Sequence, residues 1–144
     1  MGRLTLKTRR NYGRGLNKKL DRYIGRRNFI GIGNRATLTT ALAGANNDIT
    51  FLARTPGTGG NSIRVRIVVV GASTALSVSV STNDITVNSA TSAGSAAIST
   101  ADQIIDAVNR SATASALVWA QRAAANDGTG VVAAVGYTNL AGGV

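Results

Sequence analysis

Alternating apolar and polar positions predict β-strands through most of the chain beyond residue 47. Residues 48–54 (DITFLAR), 62–70 (SIRVRIVVV) and 75–81 (ALSVSVS) each repeat with a period of two. This period is typical of a strand that has one face in a core and one face in solvent. In the second segment the pattern places Arg64 and Arg66 on the outer face. The body of the protein is therefore expected to be built mainly of strands.

Turn residues suggest how some of these strands are connected. Asn83-Asp84 separates 75–81 from 85–88 (ITVN), which predicts a β-hairpin. Residues 131–137 (VVAAVGY) follow a second turn and are predicted to form the last strand. Residues 114–123 (ASALVWAQRA) fit either a strand or a continued helix, and the pattern does not decide between them.

One helix of about ten residues is predicted after Thr100. Thr100 followed three residues later by Gln103 forms a capping-box pattern, in which each side chain bonds the other residue's backbone amide. Ile104, Ile105 and Val108 then form one apolar face. We expect this helix to pack on a sheet.

The segment TPGTGGN, residues 55–61, is predicted to be a tight loop between strands. It lacks the Lys-Ser/Thr of a phosphate-binding loop, and no helix pattern follows it. Its glycines are expected to supply backbone angles that other residues resist, and we expect a positive φ at Gly60.

Charge divides the chain into two parts. Residues 1–35 contain eleven of the sixteen Lys and Arg residues and only Asp21 among the acids, whereas residues 36–144 contain five Arg and five Asp. The fold class predicted is α+β: a mainly antiparallel sheet or small sandwich with one packed helix, preceded by an extended basic N-terminal arm. The predicted domains are the arm, residues 1–35, and one compact body, residues 36–144.

The composition argues against an enzyme and against a metal or cofactor site. The chain has no His, Cys or Glu, the residues that most often serve acid–base catalysis and transition-metal binding. Asp102 and Asp106 lie one turn apart on the predicted helix and could share a hard cation, but a solvated helix face is the preferred interpretation. Trp119 is assigned to core or interface packing. No apolar run approaches the roughly 20 residues of a membrane span, so no membrane partner is expected.

The basic arm is predicted to dock on another protein. It carries many apolar groups beside its charges, which a purely solvating tail would not need. Nucleic-acid binding is the second interpretation, because eleven cations could neutralise several phosphates, and a solvated tail is the third. The predicted partner-binding residues are the charged and aromatic groups of the arm and its apolar anchor: Arg3, Lys7, Arg9, Arg10, Tyr12, Arg14, Lys18, Lys19, Arg22, Tyr23, Arg26, Arg27, Phe29, Ile30, Ile32 and Arg35.

Three motifs occur in order along residues 46–143: a T-P-G-x-x-G-N loop, an ST-x-x-Q-[IV]-[IV]-x-A-[IV]-N helix and a final L-x-G-G. Their positions in this chain are Thr55, Pro56, Gly57, Gly60, Asn61, Thr100, Gln103, Ile104, Ile105, Ala107, Val108, Asn109, Leu140, Gly142 and Gly143. Together they resemble a module that recurs in structural proteins of tailed double-stranded DNA phages, in tail-sheath proteins and in capsid-associated proteins.

The resemblance implies a structural protein of the virion. Sheath proteins carry the module within a much longer chain, whereas here it follows only a basic arm. This favours a capsid cement, decoration or minor capsid protein whose arm straps neighbouring subunits of the major capsid protein. A DNA-contacting internal head protein and a tail-sheath or head–tail connector component remain as alternatives, and a homo-oligomer is compatible with each.

Overall fold

The computed structural model describes residues 33–144 of the chain, which form seven β-strands and two helices in an α+β arrangement. The strands are β1 (Thr37–Thr39), β2 (Ile49–Ala53), β3 (Arg64–Val68), β4 (Ser77–Ser81), β5 (Asp84–Asn88), β6 (Val118–Arg122) and β7 (Val135–Asn139). The helices are α1 (Ala101–Arg110) and α2 (Ala112–Leu117), and a 3-10 turn spans Thr58–Ser62. The predicted α+β fold class, mainly antiparallel with one main helix, is confirmed for these residues.

The strands form two sheets. The first has the order β1-β2-β6 and is antiparallel throughout, and the second has the order β4-β5-β3-β7. In the second sheet only the central β5–β3 pair is parallel. Both sheets direct their inner faces at one core, whose largest fully buried side chains include Phe51, Ile67, Ile85, Ile104 and Leu140.

The predicted hairpin between β4 and β5 is present, but its turn lies one residue earlier than expected. Ser81 pairs with Asp84, so Thr82 and Asn83 are the two turn residues. Thr82 has a positive φ of 55°, which tight hairpin turns require. Asp84 belongs to β5 because its backbone pairs with β3 at Arg64.

Helix α1 begins as its capping residues predict. The amide of Gln103 donates to Thr100 Oγ1 and the amide of Thr100 donates to Gln103 Oε1, at 3.4 and 3.0 Å. Ile104 and Val108 are fully buried, and Ile105 packs partly exposed against the same core. The ten residues of the helix agree with the expected length.

The ambiguous segment 114–123 adopts both predicted structures in succession. Helix α2 ends at Leu117 and β6 starts at the next residue. In β6 the side chains of Val118 and Ala120 point into the core, so Trp119 faces outward and is 43% exposed. The core alternative for Trp119 is therefore wrong.

Two strands differ from the sequence prediction. The last strand is Val135–Asn139, four residues later than the predicted start, because Val131 makes only an isolated bridge to Thr100. Strand β1 was not predicted, since three residues of the pattern Thr-Leu-Thr are too few to show a period. Within residues 33–144, no helix is long and apolar enough to cross a membrane.

Candidate interaction surfaces

Of the predicted arm residues, only Arg35 lies within the part of the chain that the structure describes. Its side chain is exposed, and the next residue, Ala36, is completely buried in the core. The other fifteen residues, Arg3 to Ile32, lie outside residues 33–144. Protein docking by the arm and the division of the chain at residue 35 therefore stay predictions.

The TPGTGGN loop is tight for a different reason from the one expected. The positive φ belongs to Gly57, at 103°, and not to Gly60. Gly60 is buried in the 3-10 turn, where an added Cβ would lie 2.9 Å from the Cβ atoms of both Ala36 and Ala53. The expected φ at Gly60 is wrong, and close packing of the loop on β2 explains the glycine instead.

The same loop holds Gly143, one of the two C-terminal glycines that the sequence pattern singled out. The Asn61 side chain donates from Nδ2 to the Gly143 carbonyl at 3.0 Å and accepts from the Gly143 amide at 2.8 Å. A Cβ on Gly143 would lie 2.3 Å from the Gly57 carbonyl oxygen. The two glycine-rich motifs thus meet in one structural contact, which we call the glycine clasp: Gly57, Gly60, Asn61 and Gly143.

Asn109, the last residue of the helix motif, completes the edge of the first sheet. Ala120 is paired with Phe51 so that its amide and carbonyl point away from β2. Asn109 accepts from that amide at 3.0 Å and donates to that carbonyl at 2.8 Å. One side-chain amide therefore takes the place of a neighbouring strand on β6.

The carboxylates of the described residues are engaged in structural contacts. Three form ion pairs, Asp84 with Arg64, Asp102 with Arg122 and Asp106 with Arg110. Asp48 accepts from the Leu42 amide, and Asp127 accepts from the Thr129 amide and hydroxyl. Asp102 and Asp106 are directed at different arginines, and residues 33–144 contain no group of three side chains that could hold a metal ion.

Three of these carboxyl groups titrate below their ordinary range. The side-chain hydrogen bond from Arg64 lowers the pKa of Asp84, and that from Arg122 lowers the pKa of Asp102. The hydrogen bonds from Thr129 lower the pKa of Asp127. Each group is therefore ionised at neutral pH, and its charged form is stabilised by the hydrogen bonds that it accepts.

The outer face of the second sheet carries a stack of two arginines on one tyrosine. The guanidinium groups of Arg64 and Arg66 lie 4.7 and 4.5 Å from the ring centroid of Tyr137. Arg64 is neutralised by Asp84, whereas Arg66 donates from Nε to the Thr86 hydroxyl at 2.9 Å. Among residues 33–144, no carboxylate pairs with Arg66, so the stack presents one uncompensated positive charge.

The outer face of the first sheet carries a similar pair. The guanidinium of Arg54 lies 5.1 Å from the Trp119 ring centroid, and its Nε donates to the Ser115 carbonyl at 2.9 Å. Leu52 on β2 pairs with Trp119 and extends the apolar surface. Sequence reasoning missed both stacks, although the outward positions of Arg64 and Arg66 were predicted correctly.

Two clefts open on the surface of the described residues. One, of about 320 Å³, lies beside α1 and is lined by Leu76, Ala90, Ser99, Gln103, Asp106, Ala107 and Arg110. The other, of about 280 Å³, lies at the end of β2 and is lined by Ala53, Thr55, Gly59, Gly60, Ile63, Asn83, Ala116 and Leu117. In the first cleft, Ser99 Oγ accepts a hydrogen bond from the Ala90 amide and Asp106 forms an ion pair with Arg110.

Comparison with known proteins gives no relative for this chain. No family model matches it, and no match was found among curated proteins or among solved structures.

The arrangement is suited to recognition by rigid side chains. Tyr, Trp and Arg are the residues that most often dominate the energy of protein interfaces. Within residues 33–144, each outer face combines Arg with one exposed aromatic ring. Tyr137, on the second sheet, is 42% exposed, and Trp119, on the first sheet, is 43% exposed. The cation–π contacts restrain the guanidinium groups of Arg54, Arg64 and Arg66.

Proposed function

We propose that this chain is a non-enzymatic structural protein of a phage virion, a capsid cement, decoration or minor capsid protein. Its basic arm binds neighbouring subunits of the major capsid protein, and it works in the assembled virion. The observation that carries the proposal is the separation of charge. The excess of positive charge lies in residues 1–35, and the five Arg and five Asp of residues 36–144 balance.

The described body supports a role in binding. Its carboxylates are occupied in ion pairs and in hydrogen bonds to the backbone. Its two outer faces present the stacks at Tyr137 and Trp119, which are suited to protein contacts. On a shell with many repeated sites, weak contacts from an arm and a body would add through multivalency.

A DNA-contacting internal head protein is the second candidate. Eleven Lys and Arg residues in the first 35 positions favour it, because each neutralised phosphate contributes to affinity. The apolar residues of the arm favour a protein surface instead, since phosphate contacts do not use them. A tail-sheath or connector role rests on the sequence resemblance alone.

The experiment compares the full chain with a Phe29→Ser, Ile30→Ser, Ile32→Ser variant for binding to empty coat shells and to random duplex DNA. The shells come from the phage that encodes the chain. We expect binding to shells, weakened by several kcal/mol in the variant, at about 1.5–3 kcal/mol for each large apolar side chain that becomes buried. The matched control is Val70→Ser, Ile98→Ser, Val131→Ser, which removes three exposed apolar groups of the body.

Salt separates the two candidates. DNA binding by the arm would fall steeply with salt, with a log–log slope near −0.9 for each phosphate neutralised, and would be indifferent to the triple change. Tight binding to DNA and none to shells would overturn the coat-binding proposal and establish the second candidate.

A further inference from the structure

The four strands at the ends of the two sheets differ in how their outer edges are protected. An unprotected edge exposes backbone donors and acceptors that can pair with a strand of another chain, and soluble proteins usually block such edges. Three of the four edges here are blocked by identifiable devices. Among residues 33–144, no such device blocks the fourth edge, that of β4.

The two edges of the first sheet are completed by other groups. On β1, which has only three residues, the Thr37 amide donates to the Ala141 carbonyl at 2.8 Å and the Ala141 amide donates to the Thr37 carbonyl at 3.0 Å. On β6, the Asn109 side chain binds the outward amide and carbonyl of Ala120. On each of these edges, part of the regular row of outward donors and acceptors is thereby taken up.

At one end of the second sheet, β7 is distorted. Val65 pairs with Thr138 and Ile67 pairs with Val135, so two residues of β7, Gly136 and Tyr137, lie opposite Arg66. This is a β-bulge, which twists a strand and disrupts the regular spacing that an added strand would need.

At the other end, β4 is regular and uncharged. All five of its residues pair with β5 without a shift, and residues 71–83 contain no charged residue and no proline. The two-residue turn of the hairpin fixes which backbone groups face β5. The amides and carbonyls of Ser77, Ser79 and Ser81 form hydrogen bonds with β5, so those of Val78 and Val80 point outward. No hydrogen bond within residues 33–144 reaches these four groups.

The side chains of this strand are also incompletely covered. Leu76, Val78 and Val80 pack against the core but are only partly buried, although both helices contact β4. Ser77, Ser79 and Ser81 are exposed on the opposite face. The apolar inner face of the second sheet therefore extends to its edge strand, where the side chains of Val78 and Val80 are partly exposed to solvent.

We propose that the β4 edge pairs with the β4 edge of a second copy of this chain, antiparallel and about a two-fold axis at Ser79. Val78 of each copy pairs with Val80 of the other, which uses all four outward groups of each strand. The two four-stranded sheets become one eight-stranded sheet, and the two half-covered apolar rows become continuous. The interface is isologous, as in most dimers.

The lack of charge in residues 71–83 favours a second copy of the chain as the partner strand. The neutral segment 71–83 brings no like charges together when it meets itself, and it offers no counter-charge to an acidic or basic peptide. The alternating Val and Ser pattern matches itself in this register, apolar beside apolar and hydroxyl beside hydroxyl. The pairing does not depend on the proposed virion role.

Light scattering coupled to size-exclusion chromatography of the full chain, over a wide concentration range in about 0.15 M salt, tests the pairing. We expect a concentration-dependent mass that approaches twice the 14.7 kDa of one chain. Ser79→Lys places two like charges opposite each other and raises the dimer dissociation constant about tenfold or more. Val80→Pro removes an outward donor without touching the ladder to β5 and has the same direction of effect.

Two further samples keep the result unambiguous. Thr138→Lys adds the same charge on β7 and leaves the mass unchanged. An equal mixture of Ser79→Lys and Ser79→Asp restores the dimer, which a misfolded variant could not do. A wild-type chain that stays monomeric throughout, or a dimer that neither β4 change weakens, overturns the proposal.

Discussion

The glycine clasp and the β4 edge lie at two boundaries of one small domain, and they are built in opposite ways. At the clasp, Gly60 and Gly143 are packed so closely that neither has room for a methyl group. At β4, the backbone amides of Val78 and Val80 have no partner within residues 33–144, and their side chains are only partly covered. The difference shows that the described domain closes itself by backbone contact at one boundary and leaves a regular strand free at another.

A substitution in the glycine clasp should cause the largest loss of stability. Gly60→Val forces side-chain atoms against Ala36 and Ala53, and we expect a loss of about 3 kcal/mol in the free energy of unfolding. Gly59→Val is the matched control, because a Cβ at Gly59 meets nothing within 4 Å, and its cost should stay within about 0.5–1 kcal/mol. Urea unfolding of the full-length variants measures both, and equal losses would contradict the steric explanation.

A substitution at the β6 edge should cause the next largest loss of stability. Asn109→Ala leaves the nearly buried amide and carbonyl of Ala120 without partners, for an expected loss of about 2 kcal/mol. Asn88→Ala, which removes an exposed hydrogen bond to Ser77, should change stability by only about 0.5 kcal/mol or less. Chemical denaturation of the two variants compares them, and a silent Asn109→Ala would mean that water replaces the side chain at this edge.

Much of this architecture follows from local sequence patterns, and the exceptions have a common cause. The capping box of α1 and the alternation of β2 were predicted because each of these patterns is complete within a few positions of the chain. Gly60 was assigned to the correct loop for the wrong reason, since Ala36 and Ala53 reach it only in the folded domain.

Long-range register accounts for the remaining differences. The stack of Arg66 on Tyr137 depends on the bulge that places β7 against β3, and no local period encodes a bulge. Asn109 contacts Ala120 only because β6 begins immediately after α2. Residues 1–32, which hold fifteen of the sixteen predicted site residues, lie outside residues 33–144, so the roles assigned to them stay predictions.

The start of helix α1 provides a smaller test, because this helix carries Asn109 to the β6 edge. Thr100→Ala removes the side-chain acceptor of the Gln103 amide and should cost about 1 kcal/mol. Thr39→Ala, whose exposed hydroxyl contacts only the Thr50 hydroxyl, should cost about 0.5 kcal/mol or less. Thermal unfolding monitored by circular dichroism ranks the two, and a reversed order would argue against the cap.

A change of pH should have the smallest effect on stability. We expect no change in the free energy of unfolding near neutral pH and a visible loss only below about pH 4. The pKa values of Asp84, Asp102 and Asp127 are lowered in the folded chain. Their stabilisation is complete above the ordinary Asp pKa of about 3.9 and is lost as the pH falls through the lower folded values. Because the chain has no His and no Glu, stability should be flat from about pH 5 to 8.

Denaturant midpoints between acid and neutral pH measure this profile. Asp84→Asn, which removes one of the three carboxyl groups with a lowered pKa, should lower the stability on the neutral plateau and so flatten the acid limb, while the curve stays level between about pH 5 and 8. A strong slope between about pH 5 and 8 would contradict the assignment, since no side chain of this composition ordinarily titrates there.

The contact that Asn34 makes with the last residue has a consequence for how the domain could be rewired. The Asn34 carbonyl accepts from the amides of both Gly57 and Val144, at 3.1 and 3.3 Å, so the two ends of the described domain touch. A short linker could therefore join them, and new ends could be opened in the exposed turn at residues 93–96. In terms of connectivity, we expect a circular permutant of the domain to reach the same packing, because the ends to be joined already touch.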